Sequence, residues 1–162
     1  MNRDGADRGG ELNLNGTFFE LDTSNRQSAF YIFDDDEEGL AYSVDCSFTK
    51  NDYGQERVTP GLNLGTIGTS ARTIEDLAGM TFEVGSIREA DEREDLFYLF
   101  EHEPIVDYKL AVSEISNGRA HITCRGTAVE DGYADPYTTV PFEIDCWLPI
   151  IADKSDWEKY DL

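Results

Sequence analysis

Leu40-Ala41-Tyr42-Ser43-Val44-Asp45-Cys46-Ser47-Phe48 places an apolar residue at every second position. Successive side chains of an extended strand point to opposite faces, whereas helical neighbours on one face recur every 3.6 residues. The period of two predicts a strand that buries Leu40, Tyr42, Val44, Cys46 and Phe48 and turns Ala41, Ser43, Asp45 and Ser47 toward water.

The same rule governs residues 138–148, where Val140, Phe142, Ile144, Cys146 and Leu148 alternate with Thr139, Pro141, Glu143, Asp145 and Trp147. Pro141 has no N–H to give to a ladder, which predicts an edge strand or a bulge there. Residues 42–48 and 142–148 share an aromatic-x-branched-Asp-Cys-x-apolar pattern, but their flanks differ. Two strands under the same packing demand account for the echo better than a duplication, which would keep its period through the chain.

Between these strands, Asn117-Gly118 is the preferred pair for a two-residue type I′ hairpin turn. Counting outward pairs Ile115 with Ala120, Ser113 with Ile122 and Ala111 with Cys124 on the face expected to be buried. Glu114 with His121, Val112 with Thr123 and Leu110 with Arg125 make the other face. Asp131-Gly132 is a second turn, leading through Pro136 into the Val140 strand, so the three segments form an antiparallel meander.

Earlier, residues 16–22 and 28–33 read as a hairpin pair, followed by an acidic loop at residues 34–39. Residues 73–79 carry helix punctuation, with Thr73 as N-cap, acids in the first turn and Gly79 as the stop. Residues 80–84 read as a strand; the charged residues 88–96 read either as the start of a helix continuing to residue 101 or, the favoured reading, as a loop before a strand at residues 97–101. Residues 60–69, with Gly61, Gly65 and Gly68, read as a surface loop, and a short terminal helix is expected near residues 153–160. The fold class expected is mainly β, an antiparallel β-sandwich or partly open barrel of about eight strands with one or two short helices. Residues 1–11 are expected as a flexible lead-in and residues 12–162 as one β-rich domain.

Charge narrows the partners. Thirty-four Asp and Glu against 13 Lys and Arg leave a formal charge of −21, spread along the chain. A field of this size repels nucleic acid and anionic membrane and attracts basic surfaces. High-salt adaptation or a generally acidic proteome would also produce it, but 12% aromatic residues set the chain apart from disordered acidic sequences. There is no run of 18 apolar residues and no apolar leader in the first 14, so neither a membrane helix nor export is expected. Three cysteines without an export signal predict reduced thiols in a cytoplasm.

Site candidates are few. Aligned on Gly39, the acids Asp34, Asp36 and Glu38 fall at the first, third and fifth positions of an EF-hand calcium loop, with Asp45 at the twelfth. The closing acid there is normally Glu and the flanks helices, so a solvated acidic loop is expected and no metal is assigned. Cys46, Cys124, Cys146, His102 and His121 lack the close pairing of zinc ligands. Geometry permits an acid–base pair of His121 with the opposite Glu114, an exposed surface pair beside the hairpin tip being the favoured reading, and no hydrolase, metalloprotease or nucleotide-loop motif occurs. Trp147, facing outward beside Glu143 and Asp145, suits a spot that receives a basic partner, unless the C-terminal tail covers it.

The expectation is a non-enzymatic acidic binding protein without cofactor, of inhibitor or immunity type, engaging a basic protein partner through Asp34, Asp36, Glu38, Glu143, Asp145 and Trp147. The alternative is a β-barrel or sandwich that holds a small ligand among its aromatic residues.

Overall fold

The computed structural model describes residues 9–35 and 38–162, with Asp35 described by its backbone alone. The chain begins with a hairpin, β1 (Gly10–Leu14) and β2 (Thr17–Glu20), turned by Asn15 and Gly16 at φ of 50° and 96°. A second hairpin follows, β3 (Ala29–Asp35) and β4 (Gly39–Ser47). A small separate pair, β5 (Asn51–Tyr53) and β6 (Glu56–Val58), leads into β7 (Gly61–Gly68). One 3-10 turn at Glu75–Leu77 precedes β8 (Thr81–Val84), the helix α1 (Ile87–Arg93), β9 (Leu96–Tyr98) and β10 (His102–Pro104). The expected meander closes the chain as β11 (Asp107–Ser116), β12 (Arg119–Asp131) and β13 (Thr138–Ile151), followed by a 3-10 helix at Lys154–Tyr160.

The architecture is mainly β, a curled mixed sheet forming a half-barrel. Its strand order is β10-β9-β7-β4-β3-β13-β12-β11-β8, and β1 joins β13 while β2 joins β1. β13 is the spine. One side pairs with β12 along its length; the other pairs first with β1 and then, in parallel, sets Ile150 and Ile151 beside Phe30 and Tyr31 of β3. That parallel step departs from the all-antiparallel expectation. A bridge between Leu21 and Phe48 ties the end of β2 to the end of β4 and bends the sheet over its own core.

The two alternating strands behave as read. Leu40, Tyr42, Val44, Cys46 and Phe48, and Val140, Phe142, Ile144, Cys146 and Leu148, are all buried. Each fully buried large apolar side chain contributes ~1.5–3 kcal/mol relative to exposure. Phe30 stacks on Tyr42 at 4.7 Å between ring centroids, and Phe97 of β9 meets Phe142 of β13 at 5.1 Å. β13 is central rather than an edge. Pro141 is tolerated because the β1 ladder ends at the Leu14–Phe142 pair, where the chain turns away and Asn15 N–H donates to the Pro141 carbonyl.

Several expectations are corrected. Asn117 and Gly118 take the positive φ values of a type I′ turn, 53° and 75°, and Ile115–Ala120 and Glu114–His121 pair as counted. A bulge at Ser113 then shifts the register, so Val112 pairs with Ile122 and Leu110 with Cys124, all buried. β2 pairs with β1 and not with β3, because Asn15-Gly16 supplies a tighter turn than residues 23–27. The helix expected at residues 73–79 is a single 3-10 turn, though Thr73 Oγ1 does accept from the Asp76 N–H.

Residues 60–69 form a strand inside the sheet. Gly65 is needed there because a Cβ would lie 2.4 Å from the Arg93 carbonyl oxygen of α1. The charged stretch read as a loop is α1, whose N-cap Ser86 accepts from the Glu89 N–H while Glu89 Oε1 accepts from the Gly85 N–H. Of the segment 1–11, residues 1–8 lie outside the described residues, whereas Gly10 and Glu11 already belong to β1. No described helix is long and apolar enough to cross a membrane.

Candidate functional site

Strand registers across β2, β1, β13, β12, β11 and β8 align the outward side chains into rows. One row runs Phe18, Asn13, Glu143, Arg125, Lys109, Glu83. The next runs Glu20, Glu11, Asp145, Thr123, Ala111, Thr81. In a third, His121 of β12 lies beside Trp147 of β13, with Glu114 on its other side. Two open hollows of 780 and 490 Å³ cut this face and share Asn13, Lys109, Arg125 and Glu143 as common walls.

The middle of the second row is a ladder of like charge. Glu20, Glu11 and Asp145 are directly opposite one another on three neighbouring strands, and all are exposed. Like charges in directly opposed positions destabilise a sheet. His121 gives partial relief, its Nε2 lying 2.6 Å from Asp145 Oδ1. The imidazole is held flat against Trp147, with ring centroids 4.9 Å apart and planes 14° apart. It therefore serves Asp145 and not Glu114, and the suspected Glu114–His121 acid–base pair is not formed.

Trp147 is half-buried by this stacking. The other tryptophan, Trp157 of the terminal 3-10 helix, packs into a separate cluster with Ala29 and Ile151. Phe18, at the far end of the face, is 52% exposed.

Glu143, Asp145 and Trp147 thus stand together on the outer side of β13. Asp34 and Glu38 are exposed at the tip of the β3–β4 hairpin, and Asp36 lies outside the described residues. Because Ile151 is level with Tyr31, Asp34 and Asp145 are nine steps apart along the strands. At ~3.3 Å per step that is roughly 30 Å, so the hairpin tip and the β13 face are separate surfaces.

Asp45 stays on β4, accepting from Asn63 Nδ2 at 2.9 Å. Its carboxyl is raised above the usual range by burial, the Asn63 bond pulling the other way. Extended on a strand, it does not fold back toward the loop as an EF-hand closing acid would.

The cysteines gather in the core, with Cys46 Sγ and Cys146 Sγ 4.0 Å apart. The Cys46 hydrogen bond and burial push the Cys146 thiol up, and burial pushes the Cys124 thiol up. Protonated, enclosed thiols are neither good nucleophiles nor ready metal ligands.

Sequence reasoning missed Phe18, Glu11, Glu20, Lys109 and Arg125. The Asn15-Gly16 turn carried the signal for the first three, since it fixes a β1–β2 hairpin with Phe18 opposite Asn13. No family model, curated protein or solved structure matches this chain, so the reading of this face rests on its own chemistry.

Proposed function

We propose that this chain is a non-catalytic binding protein that docks a basic protein partner on the outer face of β2, β1 and β13. The observation that carries the reading is the Glu20–Glu11–Asp145 ladder, bordered by Phe18 and Trp147. Three opposed carboxylates are a standing cost to the free protein. Lysine or arginine side chains from a partner convert that repulsion into attraction, while Phe18 and Trp147 offer apolar area of the kind that anchors interfaces.

The charge of −21 supports fast, steered capture of a cationic protein and disfavours nucleic acid. An inhibitor or immunity-type role, neutralising a basic enzyme, is the concrete form of this reading. The three free thiols accord with a reducing cytoplasm. A ligand enclosed within the half-barrel is the weaker reading, because Phe19, Phe30, Tyr42, Phe48, Phe97 and Phe142 occupy the interior.

Titration with a lysine- and arginine-rich peptide, followed by amide chemical shifts, tests the proposal. Saturable shifts centred on Glu11, Glu20, Asp145 and Trp147 are expected. Shifts spread evenly over the acidic surface, including Asp34 and Glu38, would reduce the effect to bulk charge.

A further inference from the structure

We infer that Lys109 and Arg125 form a binding site for a small hydroxyl-bearing oxyanion, a carboxylate or phosphate, in the groove on the outer sheet. The site adjoins the acidic ladder, since Glu11, Phe18 and Asp145 line the smaller hollow, but it rests on different side chains and does not depend on a basic protein docking there. Lys109 and Arg125 are directly opposite each other on β11 and β12, and both are exposed. In a chain with 34 acids and 13 Lys and Arg, two adjacent cations would be expected to draw a carboxylate onto each.

Glu83 stands opposite Lys109 and Glu143 opposite Arg125, yet neither cation forms an ion pair with any described carboxylate. Arg57, Arg88, Arg93 and Lys159 do pair with described side-chain carboxylates, and Arg26, Lys50, Arg119 and Lys154 do not; what sets Lys109 and Arg125 apart is that they stand directly opposite each other.

The pair forms the shared wall of the two hollows, both of which are open to solvent. Neighbouring strands are ~4.8 Å apart, so an oxyanion seated between the two side chains can accept from both. The Arg125 fork suits a two-oxygen contact and Lys109 a point charge. Glu83 and Glu143 then flank the anion on either side as acceptors, which selects a ligand whose hydroxyl groups donate outward. Asn13 and Thr127 add further polar wall. Exposed charges farther than ~8 Å are largely screened at physiological ionic strength, so the local balance sets Lys109 and Arg125 against Glu83, Glu143 and the adjoining Glu11 and Asp145.

The test uses inorganic phosphate and citrate as probes on the full chain, read by amide chemical shifts at constant ionic strength held with sodium chloride. Saturable shifts at Lys109, Arg125, Glu143 and Asn13 are expected with at least one probe. Phosphate alone identifies the phosphate class, citrate alone the hydroxy-carboxylate class. K109Q/R125Q should weaken binding at least tenfold while the amide spectrum away from this row stays that of the folded parent, and K154Q should change nothing. Shifts reproduced by sodium chloride, absent with both probes, or retained in K109Q/R125Q would overturn the site.

Discussion

Tyr108 donates its hydroxyl to Asp95 Oδ2 at 2.6 Å, at a point where the carboxylate is wholly buried. The same carboxylate accepts from Gly65 N–H at 2.8 Å and from Arg93 Nε at 2.8 Å. Arg93 in turn donates to the carbonyls of Gly65 and Thr66 and lies over the Phe82 ring. Asp95 thus ties β7, the end of α1 and β11 together. Asp95→Ala would leave the half-buried guanidinium without its counter-ion, and the Gly65 N–H and Tyr108 hydroxyl without their acceptor. The expected loss is ~3–5 kcal/mol, as for other broken buried pairs, measured by urea denaturation. A loss below about 1 kcal/mol, the scale of an exposed pair, would show the clamp to be ornamental.

Gly65 lets α1 lie close on β7. A Cβ there would sit 2.4 Å from the Arg93 carbonyl oxygen, a backbone atom that cannot swing aside. Gly65→Ala should therefore destabilise by ~1–3 kcal/mol through overpacking. Hydrogen exchange should show the loss of protection first at Glu94 and Asp95, whose N–H groups donate to the Asp91 and Ala90 carbonyls at the end of α1.

Asp45 gives a pH signature. Burial raises its carboxyl in the folded state above the ordinary 3.8. A raised acid favours the folded state only below its unfolded value and becomes a cost as pH climbs through its folded value. Asp45→Asn keeps an oxygen for Asn63 and removes that cost. Thermal melts should find the variant more stable than the parent at pH 7, with the difference closing as pH falls below about 4. A variant less stable than the parent at pH 7 would contradict the assigned cause.

The carboxylate ladder predicts a stabilising change at the proposed docking face. Glu11 has Glu20 on one side and Asp145 on the other. Glu11→Gln should stabilise the free protein by ~0.2–1 kcal/mol in low salt. The gain should vanish near 1 M salt, where screening acts within ~3 Å. The same substitution should weaken binding of a basic peptide, so stability and affinity move in opposite directions.

Much of the fold was legible where information is local. Alternation in residues 40–48 and 138–148 fixed which side chains enter the core, and hence that Glu143, Asp145 and Trp147 face outward. Asn117-Gly118 fixed a hairpin, but the Ser113 bulge that exchanges the faces of β11 carries no strong local mark. Gly61, Gly65 and Gly68 looked like loop punctuation because glycine is read for its freedom, whereas Gly65 is used for its small size against α1. Ser86-x-x-Glu89 carries the N-cap signal of α1, which the reading of residues 88–96 as a loop did not use.

The remaining site residues depend on strand order. Nothing near Glu11 in sequence indicates that Asp145 is its neighbour, and Lys109, Arg125 and Glu143 align only once three strands are in register.

The role of β13 as spine bears on how the protein is made. Synthesis delivers β1 and β3 more than a hundred residues before the strand that receives them. Until Ile151 has left the ribosome, both early hairpins keep an open flank, and the emerging polypeptide must wait with greasy surface uncovered. The dense coat of carboxylates, beyond any part it plays in recognition, would keep such half-finished chains from sticking to one another during that interval.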